Sequence, residues 1–64
     1  MKTLGQRIRE LRDAKELSLR ELAKKLEISA PFLSDIELGR RYPSDEVLAS
    51  LARKLGVGLE GLRT

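Results

Sequence analysis

No cysteine and no histidine occur in this chain, so neither a disulfide nor the usual zinc-ligand sets can staple it. Aromatic side chains are scarce, with only Phe32 and Tyr42. No apolar run approaches the ~20 residues of a membrane span. The opening MKTLGQRIRE lacks the apolar stretch of a signal peptide. Internal repeats, low-complexity tracts and linkers are missing as well, as are a glycine-rich phosphate loop and a carboxylate cluster. These absences leave no residue set for nucleophilic or metal-assisted chemistry. The expectation is a non-enzymatic, cytoplasmic protein with no cofactor, no metal site and no membrane contact.

What remains is a chain of 64 residues dominated by Leu, Ile and Val, near the lower size limit for independent folding. A chain that short buries only roughly 60% of its unfolded surface. Its stability must therefore come from helix packing, with or without a partner chain. Thirteen Lys/Arg against ten Asp/Glu give a net charge of +3, which permits contact with nucleic acid without demonstrating it.

The pattern is nearly continuous helix with short breaks. Leu4, Ile8 and Leu11 fall at i, i+4 and i+7, one apolar stripe on a helix from about Thr3 to Lys15. Its other face carries Arg7, Arg9, Glu10 and Asp13. Ser18, with Glu21 three residues on, has the capping-box spacing and opens a second helix ending near Leu26. Leu22, Ala23 and Leu26 mark its inner face. Ser29 is the next N-cap, with Pro31 in the first turn, where a missing N–H costs nothing. This third helix buries Leu33 and Ile36, and Gly39 ends it. Residues 39–43 read as a loop. Ser44 caps a fourth helix whose first turn holds Asp45 and Glu46, the sign the helix dipole favours. Its core face is Val47, Leu48, Leu51, Ala52 and Leu55, and Gly56 stops it. Val57 to Leu62 adds a last short helix.

Two short helices joined by a tight turn, with a small residue in the first and an apolar one in the turn, define a helix-turn-helix. Here Ala23 is the small residue and Ile28 the turn residue, while Leu33 and Ile36 pin the following helix. Pinning one face fixes which residues point outward, and those are what a DNA major groove would meet.

The run LSLRELAKKLEISAPFLSDIELGRRYPS resembles the Cro/phage-repressor type of helix-turn-helix family, also called the XRE type. The flanks LGQRIRELRDAKEL and LASLARKLGVGLEGL are similar to the family's first helix and its fourth and fifth, so the likeness covers nearly the whole chain. It implies an all-α, compact five-helix domain of lambda-repressor-like fold, with residues 1–64 forming one DNA-binding domain. The third helix, residues 29–38, is then the recognition helix for double-stranded DNA, often in a two-fold homodimer. Two residues depart from the family pattern. Leu19 stands where the family usually has a glutamine that supports phosphate or base contacts. That role either goes unfilled or passes to Arg20 or to the helix-terminal amides. Glu27 stands in the turn where glycine is favoured; if the turn requires φ > 0, this residue carries a strain of roughly 1 kcal/mol.

The resemblance puts Ser29, Ala30, Pro31, Phe32, Ser34 and Asp35 at groove-facing positions. Ala30 and Pro31 suit thymine methyl groups, and Asp35 suits the cytosine N4 amine, or else forms only a solvated or intrahelical pair. Ser34 bonds a base, a phosphate or water. Phe32 either fills the domain's edge or packs on deoxyribose or a thymine methyl. Leu38 either packs on the following loop or belongs to a partner-facing patch. Arg40 and Arg41 suit phosphate contacts, which fix register rather than read sequence; a solvated basic loop is the alternative. Arg7, Arg9, Lys24, Lys25 and Lys54 read as solvated helix faces. Arg12 and Glu37 match a partly buried ion pair of the family that orients the recognition helix.

These readings point to a transcriptional regulator, a repressor by expectation. The alternatives are a protein-interaction adaptor on the same fold, for which Leu19, Ala30, Phe32 and Leu38 speak, and an antitoxin that binds both DNA and a protein partner. For a homodimer, Leu59 and Leu62 are the candidate contacts, with recognition helices ~34 Å apart.

Overall fold

Thr3 and Ser18 each accept a hydrogen bond from the backbone N–H three residues on, and the Gln6 and Glu21 side chains accept one from the capping residue's own N–H. These reciprocal boxes satisfy amide groups that a helix start otherwise leaves open. The Ser18 N–H and hydroxyl also hold the Glu21 carboxyl below the ordinary glutamate range. Ser29 and Ser44 cap the two following helices through Phe32 N–H and Val47 N–H. In the computed structural model, which describes residues 3–63, the result is α1 (Leu4–Ala14), α2 (Leu19–Leu26), α3 (Ala30–Glu37), α4 (Asp45–Leu55) and α5 (Leu59–Arg63). No strand occurs among the described residues. None of the described helices is long and apolar enough to cross a membrane.

The first four helices end in the same way. An N–H just past the helix closes back onto the carbonyl of the fifth residue before it: Leu17 to Arg12, Ile28 to Ala23, Arg40 to Asp35 and Val57 to Ala52, at 2.8–3.1 Å. This Schellman closure needs a left-handed residue just before the donor. Gly39 and Gly56 supply it with φ of 79° and 72°, but Glu16 and Glu27 do so with φ of 56° and 58°. The strain expected at Glu27 is therefore present, and Glu16, unmarked in the sequence, repeats it. Each costs roughly 1 kcal/mol relative to glycine. The Val57 N–H belongs to the end of α4, and α5 starts two residues later, at Leu59 and not at Val57.

Ile8, Leu22, Ala23, Leu33, Ile36, Leu48, Leu51, Ala52, Leu55 and Leu62 form the buried core, drawn from all five helices. Leu4, Leu11, Leu26, Ile28 and Val47 pack around it half-buried. α1 packs on α3, α4 and α5, and α2 on α3 and α4. Leu62 is 0% exposed, so it belongs to this core and is withdrawn as a dimer contact. Arg7 is also not simply solvated: its Nε donates to the Gly61 carbonyl at 2.9 Å and ties α1 to α5.

α1 and α3 approach each other tightly at Gly5. A Cβ there would meet the Glu37 carbonyl oxygen and lie 2.6 Å from the Ile36 carbonyl oxygen, both backbone atoms that cannot swing aside. Alanine is the better helix former by about 1 kcal/mol, yet Gly5→Ala is expected to destabilise the protein by about 1–3 kcal/mol, the range for overpacking. Urea unfolding checks this; an unchanged or raised midpoint would show that α1 and α3 separate freely.

Candidate nucleic-acid interface

α3, capped by Ser29 and Leu38, has two sides with different tasks. Leu33 and Ile36 are buried against the core. At about 100° per residue, Pro31, Ser34, Asp35 and Leu38 fall on the opposite side as an i, i+3, i+4, i+7 stripe. Pro31 and Leu38 are exposed and Ser34 and Asp35 half-exposed, in keeping with that geometry. Leu38, at 59% exposure, does not pack on the following loop; it completes the outward stripe. Ala30 and Phe32 are half-buried and pack against the core, flanking the stripe. Ser29 is exposed at the helix start, where its oxygen accepts the Phe32 N–H at 3.2 Å.

α3 is held in this orientation by its last residue. Glu37 receives two hydrogen bonds from the Arg12 guanidinium, 2.8 Å from Nε and 3.1 Å from Nη2. The remaining nitrogen, Nη1, donates to the Leu17 carbonyl at 2.9 Å in the α1–α2 connection. The two side chains are 13% and 7% exposed. A carboxylate at a helix C-terminus opposes the helix dipole, and the bidentate arginine answers it. The bonds to Glu37 raise the Arg12 pKa above the ordinary arginine value, against the opposing effect of burial. Among the described residues, no buried side-chain nitrogen or oxygen lacks a hydrogen-bond partner.

Past Glu37 the chain turns through Gly39, and the charge changes sign. α3 itself carries Asp35 and Glu37 and no basic residue. Arg40 and Arg41 follow directly, both exposed, and fold back towards α3. Arg40 Nη1 lies 3.9 Å from Asp35 Oδ1 and Arg41 Nε 3.6 Å from Asp35 Oδ2. The Arg41 guanidinium carbon is 5.8 Å from the centre of the Phe32 ring, within cation–π range. The structure thus gathers Phe32, Asp35, Arg40 and Arg41 into one cluster. Tyr42, 72% exposed beside the arginines, went unmarked in the sequence because nothing in its spacing separates a loop aromatic from a core one.

At the start of α2, Leu19 packs half-buried against the core, while Arg20 beside it is exposed. Leu19 is thereby explained as a packing residue where a polar one was expected. No set of three or more side chains able to hold a metal ion exists among the described residues.

A helix pair with a pinned second helix, an outward stripe and basic residues at its end defines a helix-turn-helix module. The family described as helix-turn-helix matches residues 8–62, and the chain belongs to this family in its Cro/C1 (XRE) type. It is 46% identical over 59 residues to the HTH-type transcriptional regulator DdrOP3 of Deinococcus deserti, covering 92% of this chain and 46% of that protein. Identity to the immunity repressor protein of Bacillus phage phi105 is 37% over 60 residues, covering 94% of this chain and 42% of the repressor. The chain therefore spans under half the length of these two relatives. Among solved structures, that of the biofilm master regulator SinR in complex with DNA superimposes with a TM-score of 0.87 at 36% identity, covering 94% of this chain and 97% of the other. The SinR DNA-binding domain in a further matching structure is that of Bacillus subtilis.

The Arg12–Glu37 pair yields a stability prediction. Arg12→Met strands a nearly buried carboxylate and is expected to cost about 3 kcal/mol, whereas Arg12→Met with Glu37→Met is expected to recover most of that loss. Urea titration of both variants checks this, and a double variant weaker than the single one would contradict it.

Proposed function

We propose that the chain is the DNA-binding unit of a transcriptional regulator, a repressor in its mode of action, which acts by binding and not by catalysis. α3 enters the major groove of double-stranded DNA with Pro31, Ser34, Asp35 and Leu38 towards the bases. Ala30 and Phe32 line its flanks, and Ser29 sits at the leading end. Arg20, Arg40 and Arg41 meet the phosphates. The observation that carries this reading is the outward stripe of α3, fixed opposite Leu33 and Ile36 and followed at once by two exposed arginines. The names of the relatives, a transcriptional regulator and a repressor, and the DNA in the SinR complex support it.

The adaptor reading loses most of its support. Of the four apolar residues that suggested it, Leu19, Ala30 and Phe32 pack against the core and only Leu38 stands out in solvent. Pairing of two copies on DNA would use Leu59, which is 42% exposed, without Leu62. In this reading residues 1–64 act as one DNA-binding domain in the cytoplasm, whatever else the whole protein carries.

Binding to phosphates releases counterions, so log K should fall steeply with log salt, by about 0.9 per phosphate neutralised. Replacing Arg40 and Arg41 together by alanine is expected to make that slope shallower, by about 0.9 for each phosphate left without its arginine. Affinity should weaken on every duplex, since the phosphates are common to all sequences. Fluorescence anisotropy across a salt series measures this. A slope unchanged by the double replacement would remove both arginines from the interface.

A further inference from the structure

Asp35 sits at an unusual junction. Its backbone carbonyl accepts the N–H of Arg40 at 2.8 Å and that of Arg41 at 3.4 Å, so it is the acceptor around which the chain turns after α3. Its carboxylate faces the side chains of the same two arginines, at 3.9 and 3.6 Å. Arg41 is steadied on a second side by the Phe32 ring. The cations suited to phosphate are thus folded over the reading face, on a carboxylate that belongs to that face. Glu37, the other acid of α3, is fully engaged by Arg12 and takes no part.

We propose that Asp35 is a built-in competitor for the DNA backbone, a positioning residue that couples phosphate binding to base identity. A guanidinium can satisfy the carboxylate or a phosphate oxygen. When a duplex takes Arg40 and Arg41, Asp35 gives up its partners and is left charged in a groove walled by phosphates. Only a base edge that offers an exocyclic amine, cytosine N4 or adenine N6, replaces them. On other sequences the uncompensated carboxylate opposes the complex, so the arginines grip weakly. This inference rests on the DNA-binding reading and adds to it a source of discrimination that needs few polar readers.

Both ion pairs are solvent-exposed, so each contributes at most a factor of about five. The effect of removing the competitor is expected to be about five- to tenfold. The test uses the full chain, two duplexes (one enriched by the protein from a random pool, one scrambled) and a salt series. It compares wild type, Asp35→Asn, Arg40→Ala with Arg41→Ala, and all three together, with circular dichroism confirming the helical fold of each. Asp35→Asn is expected to tighten binding to the scrambled duplex about five- to tenfold. It should tighten the enriched duplex less or weaken it, and have a clearly smaller effect on the scrambled duplex once both arginines are alanine, where only the groove repulsion is left to remove. An unchanged affinity for the scrambled duplex would overturn the competitor role. So would an equal gain with and without the arginines, which marks plain charge repulsion. Failure of the wild type to bind any duplex would overturn the DNA-binding reading itself, and the competitor with it.

Discussion

The contact between α1 and the last turn of α3 is the constraint on which the arrangement of the other elements depends. Gly5 admits the carbonyl oxygens of Ile36 and Glu37 at a distance no side chain tolerates. Two turns further along α1, Arg12 takes Glu37 in a bidentate grip and reaches the Leu17 carbonyl with its remaining nitrogen. A helix of eight residues has little stability of its own. Fastened at this end and pinned through Leu33 and Ile36, α3 has no freedom to roll, and its outward stripe is fixed before any ligand arrives. Preorganisation of this kind lowers the ordering cost of binding.

The same fastening separates the two acids of α3. Glu37 turns inward and serves architecture, while Asp35, about 200° away around the axis, stays on the outward face with its two loop arginines. In the free protein two positive charges, Arg40 and Arg41, lie over the one negative charge of Asp35, so the end of α3 stays net positive. Two left-handed glutamates close α1 and α2 at a cost in stability of roughly 1 kcal/mol each, a notable burden for so small a core. Reciprocal caps at Thr3 and Ser18 work in the other direction, typically by about 1 kcal/mol per cap.

Caps, breaks and core were legible in the sequence because each leaves a local mark: Ser18 with Glu21 at capping-box spacing, Pro31 in a first turn, Gly39 and Gly56 past the last apolar residue. Ala23, Ile28, Leu33 and Ile36 were legible as a framework through helical periodicity, and Arg12 and Glu37 through resemblance. The role of Gly5 was not, because a close approach between helices is a tertiary fact, and a lone glycine in a first turn reads only as a weak helix former. Glu16 gave no sign of its left-handed backbone for a similar reason, since nothing in its side chain requires it. Leu62, a candidate dimer contact, lies in the core, and Leu38, open between loop packing and an exposed patch, stands outward: a short helix fixes neither its own rotation nor its depth until neighbours are set. The cluster of Phe32, Asp35, Arg40 and Arg41 depends on the Schellman turn at Gly39, which folds the arginines back; the sequence shows the residues but not the fold-back.

If the outward stripe of α3 reads double-stranded DNA, selection of bound duplexes from a random pool at moderate salt is the most direct test. The predicted result is enrichment of a short motif that binds more tightly than its scrambled counterpart. A pool that stays random, with enriched and scrambled duplexes bound equally, would contradict it.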